Sequence, residues 1–409
     1  MKICHISTGF PISYQGGITN YVRTLAEYQV KNENEVWVLT SPDNQTHAFK
    51  CQEFVSKKLH PFETVYFEDA KSLDELKCFF EEKKFDMIHI HMMLDIDWNL
   101  YEILKPYHYI VSLHDYFYLC PRITMVKEDQ SVCDRYLTKE CETCISWFDV
   151  NRFTRVFEDI VRKKTPLTSF KFPRTAQKMT AVRHEKYKQL LENADVLLPV
   201  SHRVKEIYAN SGINGNYKVM HIGNITADRF KEEFSFDHNK KKIEIAMLGT
   251  LLPIKGADLF IELAKRLDKD KVNMNFYGRS ATYAEKIKEV GIIDHGPYTQ
   301  DQLAEILENT DLGCVLSTWE DNGPQVVMEF LNNHVPVIGT KMGGIPDFVN
   351  DTNGFLFDPR QADAIDVLVE KINNLTIEEI YEMKKSIRPT TTTTKHCQDM
   401  DALYKEVIK

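Results

Sequence analysis

The stretch Leu316–Val349, LSTWEDNGPQVVMEFLNNHVPVIGTKMGGIPDFV, decides the reading of this chain. A short apolar strand, Asp311–Leu316, runs into it and ends among small and acidic residues. Asn322, Gly323 and Pro324 make a turn, and Gln325–Asn333 reads as a helix with proline near its first position. A second strand, Val335–Gly339, follows, and the pair Gly343-Gly344 opens another turn. Strand, turn, helix and strand make a βαβ unit, whose loops at the carboxyl ends of the strands are where such sheets bind ligands. The backbone N–H groups of Gly323, Gln325 and Val326 favour an anion at the helix start. Asp321 stands before that helix and Glu329 inside it, eight residues on. Two carboxylates there suit the hydroxyls of a sugar and a ribose. The plain alternative makes Asp321 a helix cap and Glu329 a solvated face residue.

The order D-N-x-P-x-x-x-x-E over Asp321–Glu329, with the flanking P-V-I-G-T-K-M-G-G-I-P-D, resembles the E-x7-E region of GT-B glycosyltransferases, in particular the large retaining family 4. The first acid is Asp321 where many members carry glutamate, a shorter reach to the same place. The resemblance implies that Asp321 meets the donor sugar's hydroxyls and that Glu329 holds the nucleotide ribose. Gly323, Pro324 and Gln325 would then lie at the donor phosphates. The implied architecture is α/β, two Rossmann-like domains facing across a cleft.

Length and composition fit that architecture. A chain of 409 residues holds two α/β domains of about 200 residues each. Hydrophobic content of 43% and charged content of 27% are ordinary for a globular protein. A net charge of −9 argues against nucleic acid as the main partner. No apolar run approaches the roughly 18 residues of a spanning helix, and MKICHISTGF breaks its apolar run too early for a signal peptide. Nine cysteines, an odd number, fit a reducing compartment. A cytoplasmic protein is expected.

From the amino end, Lys2–Ser7 reads as a buried strand. Gly16-Gly17 then precedes an amphipathic helix, Ile18–Val30, with Ile18, Tyr21, Val22, Leu25 and Tyr28 on one face. A glycine turn between strand and helix lets backbone approach a phosphate closely. The loop lacks the third glycine and distal acid of a dinucleotide fingerprint, which disfavours NAD. The resemblance places Gly16 and Gly17 near the donor phosphates. Strands follow at Val36–Leu39, Met87–His91 and Tyr109–His114, with a helix at Leu73–Glu82. His89 and His91 share a strand face and read first as packing histidines, with a metal pair as the alternative. His114 ends its strand in VSLHDYFYLCPR, and the resemblance puts it beside the donor sugar; the alternative is a hydrogen-bonded residue at a strand end.

Cys120, Cys133, Cys141 and Cys144 follow, with one C-x-x-C pair among them. Four thiols could hold a structural zinc; free buried thiols are the competing reading. Between Arg152 and Lys188 basic residues far outnumber acidic ones, with Phe153, Phe157, Phe170 and Phe172 interleaved. That pattern suits peripheral contact with an anionic membrane face or a lipid-diphosphate acceptor, and equally a solvated helix surface.

Ala194–Val200 and Lys218–Ile222 read as strands, and Ile225–Lys242 as the linker between a first domain, 1–225, and a second, 243–386. In the second, Ile243–Leu248 leads through GTLLPIKG to the helix Asp258–Leu267. Family members usually carry G-R-x-x-x-x-K-G here, whose arginine and lysine clamp the diphosphate. Lys255 matches, but Thr250 replaces the arginine, which removes a bidentate contact. Arg279, after the next strand at Asn273–Gly278, becomes the candidate substitute. Ile292–Gly296 is a further strand, Ala362–Asn373 and Ile377–Ser386 are helices, and 387–409 carries a final helix expected to return to the first domain.

The resemblance implies a retaining transferase using a nucleotide-diphosphate sugar, with a UDP-sugar the expected donor and a glycan or lipid-linked glycan the acceptor, as in cell-surface polysaccharide synthesis. It implies same-face substitution without a divalent metal, in which the departing phosphate takes the acceptor proton. His114, Asp321 and Lys255 would be the catalytic set. Two rivals stand beside it. Thr250 keeps open a non-catalytic or weakly active subunit that binds a sugar nucleotide or a partner transferase. A sugar-nucleotide epimerase would share the fold.

Overall fold

The computed structural model describes residues 1–7, 16–40, 64–65, 70–93, 96, 99–120, 122–127, 129–133, 141, 160–161, 164 and 176–409. The chain divides into two compact units. The first comprises Met1–Pro199, Val204–Val219 and Asp401–Lys409; the second comprises Val200–Arg203 and Met220–Met400.

In the first unit the strands are β1 (Lys2–Ser7), β2 (Glu35–Thr40), β3 (Thr64–Val65), β4 (Met87–Ile90), β5 (Tyr109–Leu113) and β6 (Val196–Pro199). They form one sheet in the order β3-β2-β1-β4-β5-β6, and every pairing is parallel. The second unit contains β7 (Ile243–Thr250), β8 (Val272–Arg279), β9 (Ile293–Asp294), β10 (Leu312–Val315), β11 (Val337–Thr340) and β12 (Gly354–Phe357). Its order is β12-β11-β10-β7-β8-β9, again wholly parallel. Counted from its own first strand, each sheet therefore runs 3-2-1-4-5-6, the doubly wound Rossmann order. Reversal of direction opens a crevice beside the first strand, between β1 and β4 in one unit and between β7 and β10 in the other.

Parallel strands are covered on both faces, so they read as continuous apolar runs. Strands β4, β5, β10 and β11 are buried at every residue. The helix Gln325–Leu331 turns Val327, Met328, Phe330 and Leu331 inward. Phe330 lies so closely over Gly313 that a Cβ there would stand 2.5 Å from its ring. A side chain in the middle of β10 would lift the helix off the sheet and displace the loop that leads into it.

Three sequence readings change. Lys218–Ile222 forms no strand; Tyr217 makes an isolated bridge to Leu197, and Lys218 N–H bonds the Leu197 carbonyl at 2.9 Å. The region 225–242 is no free linker. Phe230 and Phe234 pack on His334, with ring centroids 4.5 and 4.6 Å away, and the His334 ring hydrogen-bonds the Lys231 carbonyl at 2.6 Å. Strand β12 went unread, because GFLF is a short apolar run with no alternation to mark it. Among the described residues no helix is long and apolar enough to cross a membrane.

Candidate active site

In the second unit, the loops after β7 and β10 meet at the crevice. Lys255 ends the short 3-10 turn Pro253–Lys255, and its Nζ lies 2.6 Å from Asp321 Oδ2. The Ser317 hydroxyl donates to the same oxygen at 2.8 Å. Lys255 also stands over the Trp319 ring, 5.2 Å from its centroid. The two residues assigned separately to phosphate and sugar are thus one ion pair. The lysine side chain is 40% exposed and the aspartate 12%, so the carboxylate is fixed while the ammonium keeps a face toward solvent.

The backbone around Asp321 is held just as closely. Its N–H donates to the Trp319 carbonyl at 2.8 Å, and its own carbonyl accepts from Gly344 N–H at 2.6 Å. Gly343 has φ +55°, and a Cβ there would stand 2.1 Å from the Asp321 carbonyl oxygen. Beside it, Glu320 accepts a fork from Arg203, Nη2 at 2.7 Å and Nε at 3.1 Å, and the Gly343 N–H at 2.9 Å. Gly343→Ala should therefore push Asp321 out of place. We expect a loss of about 2 kcal/mol in a denaturant titration, with donor binding weakened in parallel; an unchanged midpoint would show that the loop has another conformation open to it.

The helix that follows has Pro324 at its N-cap and no side-chain cap. Gln325 is oriented by Asn224, whose amide donates to its Oε1 at 2.8 Å. Asn322 Oδ1 and Trp319 Nε1 are buried without a hydrogen-bond partner, and polar atoms so placed are uncommon unless something else meets them. Glu329 is half-buried. No donor among the described residues reaches its carboxylate, and burial pushes its pKa up to about 7. Its charge in turn contributes to raising Tyr298, whose pKa burial first pushes up to about 12. Arg279 is exposed at the end of β8, and its Cα pairs with that of Thr250 across the strands. Any side chain at 250 and that of 279 leave the sheet at the same level.

The first unit gathers the other predicted residues. Gly16 N-caps the helix Gly17–Lys31, and its N–H is bonded to Thr19 Oγ1 at 3.0 Å. Tyr21 of that helix sets its ring edge-on to His114, 4.9 Å between centroids. His114 also closes a line of imidazoles. Its Nε2 is 3.3 Å from His91 Nδ1, His91 Nε2 is 2.9 Å from His5 Nδ1, and His5 Nε2 is 2.7 Å from Gln29 Oε1. Burial lowers the His5 pKa to about 4, which keeps that ring neutral. His89 bonds Tyr404 and Ser112 through its two nitrogens. Both nitrogens of His5 and of His89 are therefore engaged by protein groups, which is how packing histidines look.

Burial raises the Cys120 thiol, and the charges of Cys133 and Cys141 add to the rise. Cys144 lies outside the described residues. The three described sulfurs are less tightly gathered than the histidine groups of this protein that could hold a metal. Most of 152–188 also lies outside the described residues, but Arg183 is buried. Its guanidinium donates to the Phe117 and Tyr118 carbonyls and stacks on Phe117 and Tyr187, so this cation serves the fold of the first unit.

Sequence reading missed Ser317, Trp319 and the Arg203–Glu320 pair. Only Glu320 had a signal, as the acid next to Asp321; Arg203 comes from a distant segment.

Two doubly wound parallel sheets of this order are the architecture of the GT-B fold. The Glycosyltransferase Family 4 profile matches residues 15–224 and the Glycosyl transferases group 1 profile residues 228–391, and the chain belongs to glycosyltransferase family 4. It is 25% identical over 209 residues to an uncharacterized 41.2 kDa protein in the cps region of Klebsiella pneumoniae, covering 51% of this chain and 55% of that one. With the putative teichuronic acid biosynthesis glycosyltransferase TuaC of Bacillus subtilis it shares 28% identity over 240 residues, covering 54% and 59%. These matches span little more than half of either relative. In fold it is similar to the Anabaena HepE protein solved in complex with UDP, at 12% identity and a TM-score of 0.65, covering 99% of this chain and all of that one.

Proposed function

We propose that this protein transfers a sugar, with retention, from a UDP-sugar to a glycan or lipid-linked glycan during the synthesis of a cell-surface polysaccharide. The observation that carries the reading is Glu329, a half-buried carboxylate that no donor among the described residues reaches and whose pKa burial pushes up to about 7. It stands one helix turn beyond the loop that presents Asp321 and an uncapped helix start, where Lys255 reaches in from the loop after β7. That set matches a nucleoside diphosphate sugar: vicinal ribose hydroxyls for Glu329, the diphosphate for Lys255 and Arg279, and a sugar hydroxyl for Asp321. Relatives from a cps region and from teichuronic acid biosynthesis support a polysaccharide product, and the UDP complex of a protein with the same fold supports the base.

On this reading the chain supplies no nucleophile of its own. It holds the donor and stabilises negative charge as the diphosphate departs, while the leaving oxygen takes the acceptor proton.

Thermal shifts with uridine, guanosine and adenosine diphosphates, followed by a donor panel read as nucleoside diphosphate release with and without acceptor, test the proposal. A shift with the uridine nucleotide and acceptor-dependent release are expected. Thr250, uncharged where relatives clamp phosphate, favours a second reading, a binding subunit; a shift without release under any acceptor would select it. Loss of all shifts would sink both.

A structural zinc at Cys120, Cys133, Cys141 and Cys144 is proposed on the C-x-x-C pair in the sequence and on the influence of Cys133 and Cys141 on the Cys120 thiol. Elemental analysis of protein purified without added metal should give about one equivalent, and chelator should lower the melting temperature. Metal-free protein of unchanged stability would end this idea and leave the transferase reading intact.

A further inference from the structure

We propose that His202, His221 and Asp347 form a binding site for a divalent transition ion of the zinc class. His202 Nδ1, His221 Nε2 and a carboxylate oxygen of Asp347 all lie within 4.8 Å of one another. Both rings converge on one atom: His202 Nδ1 is 3.1 Å and His221 Nε2 2.9 Å from Asp347 Oδ2. Two imidazoles and a carboxylate with one side open is the donor set of a zinc ion that keeps a fourth position for water or an outside ligand. In the neutral imidazoles, the nitrogens that now face Asp347 present lone pairs in their other tautomers.

The carboxylate is prepared for this. Asp347 closes the 3-10 turn Ile345–Asp347, which has proline near its start, and its side chain is 9% exposed. The backbone N–H of His202 donates to Asp347 Oδ2 at 2.8 Å and holds the carboxylate in place. The Phe348 ring lies 4.8 Å from that of His221 and fixes it. The His202 ring is 70% exposed, which leaves an entry path for a hydrated ion.

An ion here would tie Val200–Arg203 and the segment at His221 to the turn after Gly343-Gly344. Arg203 holds Glu320, and the amides of Gly343 and Gly344 hold Glu320 and Asp321. The ion would thus brace the loop that carries the proposed sugar-binding acid. That consequence rests on the transferase reading; the binding itself does not.

The test uses full-length protein stripped with chelator, titrated with zinc sulfate by calorimetry and with cobalt chloride by visible absorption. A cobalt spectrum with d–d bands and no thiolate charge transfer is expected for this site, at about one equivalent. His221→Gln and Asp347→Asn should weaken binding at least about a hundredfold. His202→Ala, which removes an exposed ring, should do the same with the fold intact by circular dichroism, and covers the case in which Asp347→Asn fails to fold. Metal held at the cysteines would persist in all three variants and carry thiolate charge transfer. Binding of that non-thiolate equivalent unchanged in His202→Ala and His221→Gln, or its absence from the parent protein, would overturn the proposal.

Discussion

Lys255→Ala is expected to lower the rate of sugar transfer by about ten- to a hundredfold, the kinetic equivalent of one charge-assisted phosphate contact worth roughly 1.5–3 kcal/mol. The lysine ends a 3-10 turn at the crevice beside β7, where its ammonium pairs with Asp321 and lies over Trp319. Removing it takes a cation from the leaving group and also leaves the nearly buried Asp321 carboxylate with only the Ser317 hydroxyl on its bonded oxygen. Both effects act in the same direction. Lys255→Arg separates them, because it keeps the charge with a different reach. Thr250→Arg should act the opposite way and tighten the donor: position 250 is exposed and has Arg279 as its strand neighbour. Donor titrations and initial rates on these variants and on a distant surface lysine variant decide the matter. Equal rates for Lys255→Ala and parent would remove Lys255 from the diphosphate and favour a binding subunit.

Glu329→Gln is expected to weaken UDP binding by about ten- to a hundredfold, again the range of a hydrogen bond to a charged group. This residue also makes binding pH-dependent. Burial raises its pKa to about 7, so on acidification through that value it becomes a neutral acid and a poorer acceptor for two ribose hydroxyls. Affinity should therefore rise with pH through about 7 in the parent and lose that dependence in Glu329→Gln. The stability effect has the other sign. A carboxyl whose folded pKa lies above its unfolded value favours folding fully below the unfolded pKa, near 4.5. That contribution is lost as pH rises through about 7. Calorimetric UDP titrations at several pH values on both proteins provide the measurement. A parent with no pH dependence, or a variant with unchanged affinity, would place the ribose elsewhere.

What the amino-acid sequence determined by itself was the local and periodic part. Short apolar runs placed strands at Met87–His91 and Tyr109–His114, which form as Met87–Ile90 and Tyr109–Leu113, since a strand covered on both faces is largely apolar. The helix Ile377–Ser386 was legible residue for residue, because Thr376 and Glu379 form a capping box that depends only on neighbours in the chain. The turn Asn322–Pro324 and its two acids were visible for the same reason. Strand order, both crevices and every long-range pair were left to the tertiary structure. Nothing near Lys255 announces Asp321, a pair that exists because the loops after β7 and β10 end at the same edge of one sheet, and nothing near Glu320 announces Arg203, which comes from a distant segment. Likewise 225–242 looked like a linker because its phenylalanines follow no helical or strand period. Phe230 and Phe234, both half-buried, pack on His334, a residue about a hundred positions away that sequence spacing cannot bring to them.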